Sequence, residues 1–580
     1  MRSKKSKRKR KLKKQYKLLL LLVFLLLVLF LLFSQNTIDL TKKIIPNNTY
    51  YLASDKSKVK LYTYSDDTLE EASEFSRGIK VTSKEKFITY KEVKYKEVIL
   101  NNKTYYVLSN NLSKNKNNII KEKNMYVRIP STILKDVDDS KIIEMTTKGQ
   151  KLDIIGYDTV DSDGNVNRYK VRINDKEGYV YGKYLEYEED VAKSNYHQEL
   201  YDNVYSKVNN NYDGGEASKL DFYPHDRVNF ENNVMPNGVY SLYLNCGSEV
   251  IGNIDSYIEF AKSTKINAFV VDIKDNETPA YPANTFKELS PSNYEHAINS
   301  YDKYKEAIKK LKDAGFYVIG RITTFKDSYY VNDNSDAAIL DKNTNKPYLH
   351  NGSYWPSAYN RDVWYYTLSL AKESVKEFGF NEINFDYVRF PDRMQSVSGR
   401  IDLKNKYNES KIQAIERFVR YVTDELHNMN VYVSIDVFGE TSNGTYTTAY
   451  GQYWPSISNI ADVVSGMPYP DHFANFSYGI NKPWNNPYKL LNAWGMNIMD
   501  RQKETMSPAK VRTWVQAYDV MRYVDSNGIS YNADAVKAEI TGLYDAGLKD
   551  GYITWLSNSN LNKYRQQKGA FDIDYWEEHK

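Results

Sequence analysis

The sequence predicts an α/β fold in which an eight-fold β/α barrel over residues 236–565 follows two small all-β modules and an N-terminal transmembrane helix. Three observations carry this reading. From Val239 onward, strand-like and helix-like patterns alternate eight times. Residues 48–115 and 122–188 resemble one another at an offset of about 73 residues. Leu18 to Phe33 is an unbroken run of Leu, Val and Phe. A chain of 580 residues also exceeds what one core supports, since single cores stop growing at about 250–300 residues.

The apolar run and its flanks, residues 18–34, come close to the ~17–25 residues that span a bilayer as a helix. Residues 1–17 hold eleven Lys or Arg and no acid, so the positive-inside rule keeps this tail cytoplasmic and exports the chain beyond residue 34. The alternative is a signal peptide, with secretion after cleavage. Against it, Ser34-Gln35-Asn36-Thr37-Ile38-Asp39 offers no small-x-small cleavage site. Beyond the tail, 68 basic residues face 74 acidic ones, a net charge of −6, so phosphate backbones are not attracted and no nucleic acid partner is expected. Cys246 is the only cysteine, which excludes intramolecular disulfides and Cys-based zinc sites. Seven His residues form no HxH or HExxH pattern, and neither metal nor cofactor is expected. The 53 Tyr fit ligand-stacking surfaces and, equally, biased codon usage.

In the two modules, Arg77-Gly78-Ile79-Lys80-Val81 answers Lys148-Gly149-Gln150-Lys151-Leu152, and Tyr105-Tyr106-Val107 with Leu112 answers Gly178-Tyr179-Val180 with Leu185. Short alternating strands such as Tyr169–Ile173 fit small barrels. The second copy resembles bacterial Src-homology-3-like domains, through Gly178-Tyr179-Val180 and Lys183-Tyr184-Leu185. That resemblance implies wall binding, and a plain spacer role fits as well. Residues 189–235, polar and rich in Asn, Asp and Tyr, read as a linker.

The barrel strands are placed at 239–245, 266–274, 316–325, 380–388, 431–438, 461–469, 511–518 and 551–557. Amphipathic stretches such as Tyr301–Leu311 and Ile412–Leu426 lie between them and cover the outside. Chemistry in such a barrel belongs to lumen-facing residues at the carboxyl ends of the strands. Side-chain alternation therefore acts as a filter. In the second strand it turns Phe269, Val271 and Ile273 outward and Val270, Asp272 and Lys274 inward. In the fourth it turns Ile383, Phe385 and Tyr387 outward and Glu382, Asn384 and Asp386 inward. In the fifth, Ser434, Asp436 and Phe438 face inward, with Glu440 beyond the end in the same phase. Arg321, Trp514, Gln516, Tyr518 and Trp555 join them, whereas Asp519 falls out as a loop residue.

Carboxylates at one barrel mouth with cations among them and indoles opposite match the needs of glycosidic bond cleavage. One carboxylic acid protonates the leaving oxygen, and a second carboxylate attacks the anomeric carbon or activates water. Asp386 leads the catalytic candidates, with Asp436 as partner, Glu440 as substitute and Asp272 as third acid. Structural alternatives stand beside each: Asp386 as a cap or ion pair with Arg389, Asp436 as the partner of Arg321, Asp272 as the partner of Lys274. Lys274, Arg321, Asn384, Arg389 and Gln516 are candidate substrate ligands. Trp355, Tyr469, Trp514 and Trp555 are candidate stacking platforms or simply packing.

The strings NAFVVDIKDN (267–276), YVIGRITTFKD (317–327), NEINFDYVRFP (381–391), VSIDVFG (433–439), VVSGMPYPDHF (463–473) and RTWVQAYD (512–519) resemble the glycosyl hydrolases of domain-of-unknown-function family 4015. The likeness spans residues 236–560, in order. It implies a TIM barrel with glycoside hydrolase activity in exported proteins of low-GC bacteria, and places Asp272, Arg321, Asp386 and Asp436 on recurring motifs. Two positions depart from the pattern, Ala517 where an acid is usual and Glu440 where none is. The expected protein is thus a membrane-anchored extracellular glycoside hydrolase acting on cell-envelope polysaccharide. Its rival is a non-catalytic glycan-binding or envelope scaffold protein.

Overall fold

A computed structural model of the chain describes residues 48–208, 213–443 and 447–578. Eight parallel strands form its main sheet: β1 (Val239–Leu244), β2 (Ala268–Asp275), β3 (Tyr317–Thr323), β4 (Glu382–Asp386), β5 (Tyr432–Phe438), β6 (Val463–Met467), β7 (Lys510–Val511 and Thr513–Gln516) and β8 (Gly551–Trp555). Every strand lies within two residues of its predicted place. They pair in sequence order from β1 to β6, and β8 pairs with β1. The first half of β7 pairs with β6 and the second with β8, so the break at Arg512 leaves a nearly closed, TIM-like parallel barrel.

Helices cover the outside, with their ends fixed by local signals. The helix Lys411–His427 starts in a capping box made by Ser410 and Gln413. Arg361–Phe378 starts on the Asn360 side chain and stops at Gly379, whose φ of 69° suits a residue without Cβ. Gly551 has a φ of 113°, and a Cβ there would lie 2.1 Å from the Val239 carbonyl oxygen, so the β8–β1 seam requires glycine.

The described chain falls into two compact units, one reaching to Met125 with 153–172 and 181–183, the other holding 126–152, 173–180 and the chain from Tyr184 onward. The first β module has strands Thr49–Leu52, Lys58–Ser65, Thr68–Ser76, Lys80–Thr82, Val93–Leu100, Lys103–Leu108 and Leu112–Ser113, with Phe87–Tyr90 added as a hairpin arm. The second runs from Asn124–Val127 to Leu185–Glu186 in seven strands. Numbered within each module, and leaving out the arm, both sheets have the order 3-2-6-5-4-1-7 and enter the last strand through a short 3-10 turn. Thus the repeat in sequence is a repeat in topology.

The stretch 189–235, expected as a linker, carries buried anchors between exposed segments. Tyr201, Tyr205 and Phe222 are buried with Ile412 and Tyr453, and the Glu416 carboxylate accepts from the backbone N–H groups of Asp221 and Phe222. Its polar composition concealed these anchors. Among the described residues no helix is long and apolar enough to cross a membrane, and the helix expected over 18–34 lies outside them.

Candidate active site

Val270, Ile319, Tyr432 and Ile553 belong to one buried cluster in the lumen, which makes the barrel a packed core rather than a channel. Toward the amino ends of the strands, Arg512 Nη1 donates to Glu382 Oε1 at 2.7 Å and the Tyr317 hydroxyl to Oε2 at 3.0 Å. Polar chemistry open to solvent is left to the carboxyl ends.

There the buried Arg321 guanidinium is the hub. Its Nη1 donates to Asp272 Oδ1 at 2.7 Å and to Asp275 Oδ1 at 3.2 Å, and its Nη2 to Asp386 Oδ2 at 2.5 Å. The Tyr243 hydroxyl donates to the other oxygen of Asp272. Asp386 Oδ1 accepts from the N–H of Tyr387 at 2.6 Å. On the neighbouring strand, Asp436 Oδ1 accepts from Asn384 Nδ2 and from Trp514 Nε1, both at 2.8 Å, while Oδ2 has no hydrogen-bond partner among the described residues. Burial, reinforced by the charge of Asp386, raises the Asp436 carboxyl well above the usual carboxylate range. Burial also lifts Asp272 to about 7 against the pull of Arg321. One lumen therefore holds a buried carboxyl whose ionisation is disfavoured and, on the adjacent strand, a carboxyl group hydrogen-bonded by a guanidinium.

Asp386 borders a cavity of about 220 Å³ lined also by Asp275, Arg321, Tyr387, Arg389, Phe438, Tyr469, His472, Trp514 and Trp555. The Tyr469 and Trp555 rings lie near parallel, 25° apart at 6.4 Å, and Trp514 stands edge-on to Trp555 at 5.6 Å. Arg389 lies over the Phe438 ring at 4.3 Å, and burial lowers the proton affinity of both Arg389 and His472.

A family model described as "DUF4015: Putative glycosyl hydrolase domain" matches residues 238–564, more than half of the chain. The chain belongs to this family. No protein of curated function matches it. Among solved structures, it is similar to a hypothetical protein from Ruminiclostridium thermocellum ATCC 27405, with 30% identity over 34% of this chain and 97% of that one, at a TM-score of 0.29. It is also similar to the PgaB (BpsB) glycoside hydrolase domain from Bordetella bronchiseptica, with 12% identity over 58% and 99% and a TM-score of 0.42. A third is the spore cortex-lytic enzyme SleL from Bacillus megaterium QM B1551, with 11% identity over 59% and 76% and a TM-score of 0.36.

In this DUF4015 barrel, alternation turns Asp272, Arg321, Asn384, Asp386, Asp436 and Trp514 inward as two hydrogen-bonded groups, Asp272–Arg321–Asp386 and Asn384–Asp436–Trp514. Tyr469, Arg389 and Trp555 line the cavity above it. Gln516 lies buried beside it, its amide oxygen accepting from the Asp471 N–H at 3.4 Å. Arg321 does not pair with Asp436, nor Asp386 with Arg389.

Three placements differ from expectation, and Trp355 takes the packing role that was its alternative. Lys274 turns out of the lumen and pairs with Asp327 at 3.0 Å, both side chains buried. The cause is a bulge: Asp272 sits opposite Arg321 but Lys274 sits opposite Ile322, so one extra residue of β2 inverts the alternation. The same bulge brings Asp275 into the site, where sequence phase did not place it. Tyr387, expected outward, lines the cavity because its φ of 52° reverses its direction just after β4 ends. A bulky residue in that region costs about 1–3 kcal/mol and marks a site held by its surroundings. Glu440 lies apart, since β5 ends at Phe438 and Gly439–Ser442 form a 3-10 turn that breaks the two-residue period. Trp355 is buried beneath the loops with Ile339, Met394 and Ile401, where Arg389 packs on it at 5.1 Å.

Proposed function

We propose that the barrel is a glycoside hydrolase whose acid/base pair is Asp386 and Asp436. The observation that carries this reading is the contrast between two carboxyl groups on adjacent strands. Burial disfavours ionisation of Asp436, and its Oδ2, buried behind the cavity that its partner Trp514 lines and without a partner among the described residues, is the oxygen assigned to protonate a leaving glycosidic oxygen. Asp386 borders the cavity, oriented by hydrogen bonds from Arg321 and from the Tyr387 N–H, and is the group placed to supply the nucleophile or base. Tyr469, Trp514 and Trp555 give the aromatic faces on which sugar rings stack.

The substrate on this reading is a cell-envelope or extracellular polysaccharide. The basic tail and the apolar run of residues 18–34 support an anchor that keeps the barrel outside the membrane. Asp386→Asn decides the matter. Sugar release from wall or capsule glycans should fall about 10²–10⁴-fold while glycan binding persists. No release from any glycan by the parent protein would instead make the barrel a glycan-binding scaffold. In the same preparation the full chain should sediment with membranes and be cut by protease added outside intact cells, and a soluble chain would remove the anchor.

A further inference from the structure

Beside the Asp386 cavity lies a larger one of about 620 Å³, lined by Gln395, Glu440, Tyr450, Phe473, Tyr478 and Asn497 among others. The segments that follow β4, β5 and β6 build it, so it opens at the same end of the barrel. The two cavities share a wall. The ring of Phe438, on the Asp386 side, stands edge-on to that of Tyr450, on the other side, at 5.2 Å. His472 lines the smaller cavity and the next residue, Phe473, the larger.

Glu440 is an uncommitted carboxylate there. Neither of its side-chain oxygens makes a hydrogen bond or ion pair with the described residues, while partial burial and the charge of Asp392 raise its proton affinity. The loop that closes the cavity holds three non-glycine residues in the left-handed region, Phe476 at 67°, Tyr478 at 53° and Lys482 at 47°. Its surroundings impose this backbone. The hydroxyls of Tyr478 and Ser442 lie 2.7 Å apart, Asn475 Oδ1 accepts from the N–H groups of Phe476 and Lys482, and Lys482 Nζ lies 3.0 Å from Asp525. Strain maintained in this way concentrates at ligand clamps. Amide side chains, a free acceptor and aromatic edges around an open hollow suit a ring that carries many hydroxyl groups.

We infer that this cavity is a second sugar subsite, which receives further rings of the glycan held at Asp386 and in which Glu440 accepts hydrogen bonds from sugar hydroxyl or amide groups. The inference rests on the glycoside hydrolase reading and narrows its substrate to chains of several sugars. The test uses the full chain carrying Asp386→Asn, titrated calorimetrically with bacterial wall and capsule glycans size-fractionated to about two and to about six or more residues. The long fraction should bind about tenfold more tightly, a difference of about 1.4 kcal/mol. Adding Glu440→Ala should remove most of that advantage, and Glu440→Gln, which keeps an acceptor, should restore part of it.

Equal affinity for both fractions, or an advantage unchanged by Glu440→Ala, overturns the subsite. Sugar release by the parent protein without a length effect leaves the hydrolase and sinks the subsite. A Glu440-dependent length effect without sugar release leaves the cleft and sinks the hydrolase.

Discussion

At Asp436 the balance of forces can be moved by a single atom. Burial favours the protonated carboxyl, while the indole N–H of Trp514 and the amide of Asn384 favour the ionised form. Trp514→Phe keeps most of the ring but deletes one of these donors, so the carboxyl should hold its proton to still higher pH. If Asp436 is the general acid, activity is lost as pH rises and that proton leaves. The alkaline limb of a kcat/KM profile should therefore move to higher pH in Trp514→Phe. An unmoved limb, or one displaced downward, would assign the acid elsewhere. These partners were visible in sequence only as residues sharing a phase; that Asp436 Oδ1 receives both donors while Oδ2 receives none depends on side-chain positions no period encodes.

Strand phase remained valid as long as each strand kept its pairing. β4 and β5 present Asn384, Asp386, Ser434 and Asp436 inward as two-residue alternation requires. It failed where the backbone departs from a regular strand: at the β2 bulge, at Tyr387 past the end of β4, and at Glu440 past the end of β5. Nothing in VVDIKDN distinguishes a bulged strand from a plain one, which is why Asp275 was missed. The bulge is secured from outside the barrel by Asp327, which also accepts from Asn293, Tyr366 and the Tyr330 N–H. Asp327→Ala would leave the Lys274 ammonium buried without its counter-charge. The expected cost is about 3–5 kcal/mol, the usual penalty for removing one partner of a buried pair. A urea midpoint shift worth less than about 1 kcal/mol, within the range of ordinary surface changes, would show that Lys274 finds water or another partner.

Across the barrel unit, buried carboxyls that keep their protons set how stability responds to pH. Burial lifts Asp272 and Glu416 to about 7 and puts Asp436 and Glu539 well above the carboxylate range. Above about pH 4 the unfolded chain releases these protons while the folded chain retains them, so the native state binds more protons and stability falls as pH rises through about 7. Asp525, lowered to about 2 by Trp484, a backbone N–H and Lys482, is ionised throughout this range and contributes no slope. His472, whose protonation burial disfavours, pulls the other way, against these four and against Glu440 and Glu504, which burial also raises. All eight Trp lie from Trp355 to Trp576, so indole fluorescence reports the barrel region, and neither β module contains Trp. The urea midpoint followed by that signal should be higher at about pH 5.5 than at about pH 8, with an unchanged slope. Asp272→Asn should flatten the difference, because the amide has no proton to release. A midpoint that rises toward alkaline pH would mean these carboxyls are ionised in the folded barrel, and the proton assigned to Asp436 would be lost with them.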